Sequence, residues 1–130
     1  MNKLKGTITA VTNKDEFSKV SLSVENHILK AIIVNENTIN PNLAIGQSVT
    51  MLFKETDLTL SLTAPKQISI DNQLPVRIET IKKGVLLSKV VVALQQTYIN
   101  TVVPAEFATK LEEGMEVILL IRSNELMLME

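Results

Sequence analysis

The stretch "NKLKGTITAV", Asn2 to Val11, returns as "NQLPVRIETI", Asn72 to Ile81, with Asn, Leu and Ile at matching places (Asn2/Asn72, Leu4/Leu74, Ile8/Ile78). Self-similarity at a fixed spacing is tested before other signals, because it sets the whole architecture. At a shift of 70, Ser18-Lys19-Val20 meets Ser88-Lys89-Val90, and Ile32-Ile33 meets Val102-Val103. Further on the shift falls to 68: Leu43 meets Leu111, Gly46 meets Gly114, Val49 meets Val117, Lys54 meets Arg122, and Leu58/Leu60 meet Leu126/Leu128. The matches are ordered and nearly gap-free, which marks a tandem repeat. The lost pair of residues falls between "VNENTINPNLAIG" and "VPAEFATKLEEG", in segments that read as loops, where length changes are tolerated. The repeats are expected over 1–64 and 68–130, joined by the short "TAPKQISI", Thr63 to Ile70.

Within each repeat the patterning is that of strands. Val20, Leu22 and Val24 alternate with serines, the period of a half-buried strand. "EN" at 25–26 supplies a turn, and "HILKAIIV" returns as the partner strand. "QSVTMLF" and "DLTLSL" read as a second strand pair joined at "KET". The second repeat follows with "LLSKVVVAL", "TYINTVV", "MEVILLI" and "ELMLM". In "PAEFATKLEEG", Pro104 suits the first position of a short helix, with Gly114 as its stop. In the first repeat, Pro41 limits the equivalent segment to a turn. The fold class is therefore all-β: two tandem OB-like small barrels, each of about five strands with one short helical turn.

The 130 residues suit one ordinary domain or two very small units, and a unit of about 60 residues is marginal alone. "AIIV", "KVVVAL" and "VILLI" are apolar on both faces and need cover from the other repeat or another subunit. A homo-oligomer is expected. Hydrophobic residues make up 45% of the chain, which excludes a disordered one. The apolar runs are far shorter than the roughly 20 residues of a membrane-spanning helix. The N-terminal residues lack the apolar stretch of a signal peptide, and cysteine is absent, so a cytoplasmic location is expected. Net charge of −1 and four aromatic residues, Phe17, Phe53, Tyr98 and Phe107, argue against nucleic acid. No nucleophile–His–acid set, phosphate-binding glycine loop or metal-ligand spacing is visible, so no enzyme activity is expected. His27 has no second histidine near it, and Glu112, Glu113 and Glu116 read as a solvated face.

"NKLKGTITAV" followed by "LAIGQSVTMLFKETDLTLS" resembles the TOBE, or Mop, domain of molybdate-binding proteins, through Asn2, Leu4, Gly6, Ile8, Gly46, Val49, Lys54, Thr56, Leu58 and Leu60. The second repeat departs at Val76, where that family carries glycine, and at Arg122-Ser123, where it carries Lys-Ala. A tandem pair resembles the molbindins. The resemblance implies an OB-like fold, strand exchange between units, symmetric oligomers and oxyanion sites at unit interfaces. The implied ligand is molybdate or tungstate, held for storage, homeostasis or sensing.

Carried over position by position, the implied anion ligands are Lys54 and Thr56, Arg122 and Ser123, and Ser69, Asn72 and Asn2. Ammonium, guanidinium and hydroxyl groups suit a tetrahedral dianion because charge-assisted bonds are about twice as strong as neutral ones. Asp71 stands where the family has arginine, and a carboxylate there repels a dianion. The family's helical Thr and Ser places hold Val34 and Asn37 in the first repeat and Val102 and Ala105 in the second. These losses keep open an alternative, a TOBE-like dimerisation or regulatory module without ligand. Lys54 and Arg122 also read as solvated charges at strand ends, the usual fate of such residues.

Overall fold

A computed structural model describes residues 1–34 and 43–129. The turn expected at Pro41 and the anion-site position Asn37 lie outside the described residues. Ten strands run in the order β1 (Asn2–Lys14), β2 (Phe17–Val24), β3 (His27–Val34), β4 (Ser48–Phe53), β5 (Leu58–Ser61), β6 (Asn72–Lys82), β7 (Leu87–Leu94), β8 (Thr97–Pro104), β9 (Glu116–Ile121) and β10 (Met127–Met129). One helical turn, α1 (Ala105–Ala108), follows β8, and 3-10 turns occupy Glu55–Asp57 and Ser123–Glu125. The chain is all-β, as expected, and forms two curled five-stranded OB-like sheets.

The strand orders are β10-β4-β1-β2-β3 and β5-β9-β6-β7-β8, so the last strand of each half completes the other half's sheet. The two exchanges are in equivalent register. Thr59 faces Leu120 and Leu60 faces Leu119, while Met127 faces Leu52 and Leu128 faces Met51. This corrects the expected hairpin through "KET", because β4 and β5 do not pair. The physical reason is the pairing gained elsewhere: β5 lies along β9, from Leu58 against Ile121 to Ser61 against Ile118, where Leu58 and Leu60 are buried.

Matched irregularities curl both sheets. The β1–β2 register slips between Ile8 and Ala10, and the β6–β7 register slips between Ile78 and Thr80. Such a bulge bends its strand and increases the local twist. At each bulge a glycine turn is tied down: Gly46 N–H donates to the Ile8 carbonyl at 2.8 Å, and Gly114 N–H to the Ile78 carbonyl at 2.7 Å. Both glycines have positive φ, 91° and 86°, a region where a Cβ is strained. Gly114 is therefore a turn glycine before β9 and not the stop of α1, which ends at Ala108. Pro104 also shifts role: it closes β8 and stands one place before the helix, at its N-cap.

The core is a single cluster drawn from both sheets, including Leu4, Ile8, Leu22, Met51 and Phe53 with Leu74, Ile78, Leu94, Leu119 and Ile121. Strands expected to be covered on both faces are so in the second half. Val92, Ala93 and Leu94 are all buried, as are Leu119, Leu120 and Ile121.

Candidate functional site

The family-like positions collect at two equivalent places, where the first strand of each half meets the end of its fourth. Asn2 pairs with Phe53 across β1 and β4, which sets Lys54 beside the chain start. Asn72 pairs with Ile121 across β6 and β9, which sets Arg122 beside Asp71. Each strand then ends in its 3-10 turn, so Lys54 and Arg122 hold the same N-cap position in extended conformation. The turn at Glu55–Asp57 packs on β8, and the turn at Ser123–Glu125 packs on β3. Both clusters thus lie where the two halves meet.

Around Lys54, the Met1 ammonium lies 3.7 Å from Glu55 Oε1. Thr101 Oγ1, on β8, donates to the Glu55 carbonyl at 3.5 Å. Lys54 and Thr56 are exposed, and among the described residues neither side chain takes part in a hydrogen bond or ion pair. Around Arg122, Ser123 Oγ donates to Asp71 Oδ1 at 3.3 Å. Asp71 thus holds the Ser123 hydroxyl, one of the groups expected to meet an anion. Ser69 is exposed in the linker, three residues before Asn72.

Asn2 and Asn72 are buried and reach across to the opposite half. Asn2 Nδ2 donates to the Asn100 carbonyl at 2.8 Å, and Asn100 N–H donates to Asn2 Oδ1 at 2.9 Å. In the same way Asn72 Nδ2 donates to the Lys30 carbonyl and Lys30 N–H donates to Asn72 Oδ1, both at 2.8 Å. Each amide copies one rung of a β-ladder between β1 and β8 or between β6 and β3. One Nδ2 hydrogen on each remains for another acceptor. Reading the sequence singled out both asparagines but not their partners, Lys30 and Asn100, which the repeat shift of 70 places in equivalent positions. It also passed over Glu55, although the shift of 68 aligns it with Ser123.

A groove of about 500 Å³ begins at Asn124 and Leu126 and continues along Phe17, Ile33, Leu43 and Met129. Its lining is mostly hydrocarbon and offers no cation to a dianion. Among the described residues no group of three or more His, Cys, Asp or Glu side chains could hold a metal ion. No helix among them is long and apolar enough to cross a membrane.

Residues 68–128 match the model of the TOBE domain. That match lies in the second half of the chain. No curated protein sequence matches the chain. Among solved structures, the fold matches a molybdate-bound crystal form of the cytoplasmic molybdate-binding protein ModG. That likeness has a TM-score of 0.89 and 25% identity, covering 98% of this chain and 94% of the other. The whole two-sheet arrangement, including the half outside the TOBE match, therefore follows the architecture of that protein. Lys54 and Arg122 close equivalent strands in the two halves of this arrangement.

Proposed function

We propose that this chain binds molybdate or a closely related oxyanion such as tungstate, as a cytoplasmic storage, homeostasis or sensing protein. The observation that carries the reading is the likeness to molybdate-bound ModG over nearly the whole chain. It is joined by the matched cationic strand ends at Lys54 and Arg122. The chain acts through two tandem repeats, 1–64 and 68–130. Lys54 with Thr56 serves one anion, and Arg122 with Ser123 serves the other. Ser69 and the free amide hydrogens of Asn2 and Asn72 supplement them. The role is binding, without catalysis and without nucleic acid.

Calorimetry with molybdate, tungstate, sulfate and phosphate tests the site. Lys54→Ala should weaken molybdate binding ~10-fold or more, the loss of one charge-assisted bond of about 1.5–3 kcal/mol. Unchanged affinity would remove Lys54 from the mechanism. The first-half site should be the tighter one, because Asp71 both repels an anion and holds Ser123.

Two carboxylates inside the clusters, Glu55 and Asp71, favour a second reading in which the module joins subunits and binds no anion. Absence of binding by all four anions in the native protein would put that reading first. Either way we expect a homo-oligomer. Ile28, Val34 and Tyr98 are 55%, 57% and 62% exposed on the edge strands β3 and β8, apolar side chains that a partner copy would cover. Sedimentation should give a multiple of 14.4 kDa at micromolar concentration, and a monomer would contradict it.

A further inference from the structure

Across β6 and β7, Lys82 and Lys89 are direct register partners. Like charges placed opposite one another on a sheet are destabilising. Among the described residues, neither lysine belongs to an ion pair that would offset this. They line a cleft of about 360 Å³ with Thr80, Val91, Asn100 and Thr101, rimmed by Glu55 from the opposite half. Thr80 faces Val91, and Val91 faces Asn100, so one row of three strands forms the cleft wall beside the lysine pair. Glu55 is the carboxylate at the rim, and it is already engaged by the Met1 ammonium at 3.7 Å. The local balance is two uncompensated ammonium charges beside hydroxyl and amide donors.

The first half lacks the facing lysine pair. At the shift of 70, Lys82 becomes Thr12, Thr80 becomes Ala10, Thr101 becomes Ala31 and Asn100 becomes Lys30, so Lys19 pairs with Thr12 and the other lysine there, Lys30, faces Ser21 instead. The facing lysine pair is therefore not a by-product of the repeated fold but a property of the second half's own side chains.

We propose that this cleft is a further anion site, specific to the second half, which takes a dianionic tetrahedral oxyanion group between Lys82 and Lys89. The shared chemistry is phosphate-like, whether the group is inorganic or carried on a small organic molecule. Thr80 and Asn100 donate from the wall, and Val91 gives an apolar shelf for any organic body. A space of this size admits more than a bare oxyanion. The site adjoins the Lys54 cluster through Glu55 and Thr101, but its two cations are Lys82 and Lys89, so it does not depend on Lys54 or Arg122 binding molybdate.

The test is residue-resolved NMR of the full-length ¹⁵N-labelled protein titrated with inorganic phosphate, molybdate and phenyl phosphate. Saturable shifts are expected at the Lys82, Lys89 and Asn100 amides. Tighter binding of phenyl phosphate than of inorganic phosphate identifies an organic phosphate as the preferred source, and equal or weaker binding identifies the free oxyanion. The double variant Lys82→Gln/Lys89→Gln should lose about tenfold or more in affinity at these amides. Single Lys89→Gln gives an intermediate loss and serves if the double variant is poorly folded. Lys54→Ala should leave these shifts intact, so failure of the cluster sites is separable from failure here. No shift in the cleft with any probe, or unchanged affinity in the lysine variants, overturns the proposal.

Discussion

Asn2 and Asn72 show how much a repeated residue can and cannot reveal. That asparagine recurs at a shift of 70 is plain in the sequence, and so is its place at the head of a strand. What it meets is not, because the partner backbone of Asn2 lies 98 residues away. Each side chain satisfies both the N–H and the carbonyl of one residue in the other half. Removing the amide leaves these part-buried groups without a partner, at about 1–3 kcal/mol for each unsatisfied group. Asn2→Ala and Asn72→Ala should each lower stability by roughly 2 kcal/mol or more, read as a lower urea midpoint. An Asn2→Ala midpoint equal to the native one would show that water replaces the rung at no cost. Gly6 was legible in the same partial way. The family pattern asks for glycine, and the structure supplies the reason: a Cβ there would stand 2.9 Å from Val24 Cγ2 and 3.2 Å from the Ser23 carbonyl.

For the elements, alternation specified the strands and their inward faces, and the structure agrees. Leu58 and Leu60 on β5 are buried, and Thr59 between them is exposed. Periodicity fixes which face is buried, but it carries nothing about which strand lies alongside. That is why "KET" looked like a hairpin turn, whereas it launches β5 into the other sheet. The exchange makes a distinctive prediction. Leu60 faces Leu119 on β9 and is 7% exposed, so Leu60→Ala should cost about 2–4 kcal/mol through lost burial and cavity formation. Hydrogen exchange should locate the loosened backbone in β9, Ile118 to Ile121, and leave β4 as protected as global stability allows. Loosening confined to β4 would instead be the signature of the hairpin. The clusters proposed to hold anions were partly legible for the same reason. Lys54 and Arg122 were found by position, but the pairing of Asp71 with Ser123 depends on which strands adjoin.

At the scale of the whole molecule, the exchange means that neither half owns a complete sheet. The first sheet takes β10 and the second takes β5, and the two asparagine clasps and the Thr97–Glu25 hydrogen bond (2.7 Å) cross the same boundary. A fragment of about 60 residues is already short of burial when complete. Here each would also present an unpaired edge, β4 in one and β9 in the other, where the missing strand belongs. Separate peptides spanning 1–64 and 68–130 should therefore not fold as monomers. Because the two exchanges share one register, each peptide has a route to cover its edge with a copy of itself, and a mixture has the native route through both. Mixing equal amounts should restore the strand signal in circular dichroism. Sedimentation should then show a one-to-one complex, which the Asn2–Asn100 and Asn72–Lys30 clasps favour over the self-pairs. Adding Asn2→Ala to the first peptide and Asn72→Ala to the second should weaken that complex by more than either change alone, since the clasps lie at separate places on the boundary. A peptide of 1–64 that is folded and monomeric would show that β5 returns to its own half when the other is absent. In that case the exchange would be a product of the covalent link through Thr63–Ile70 and not of the strands themselves.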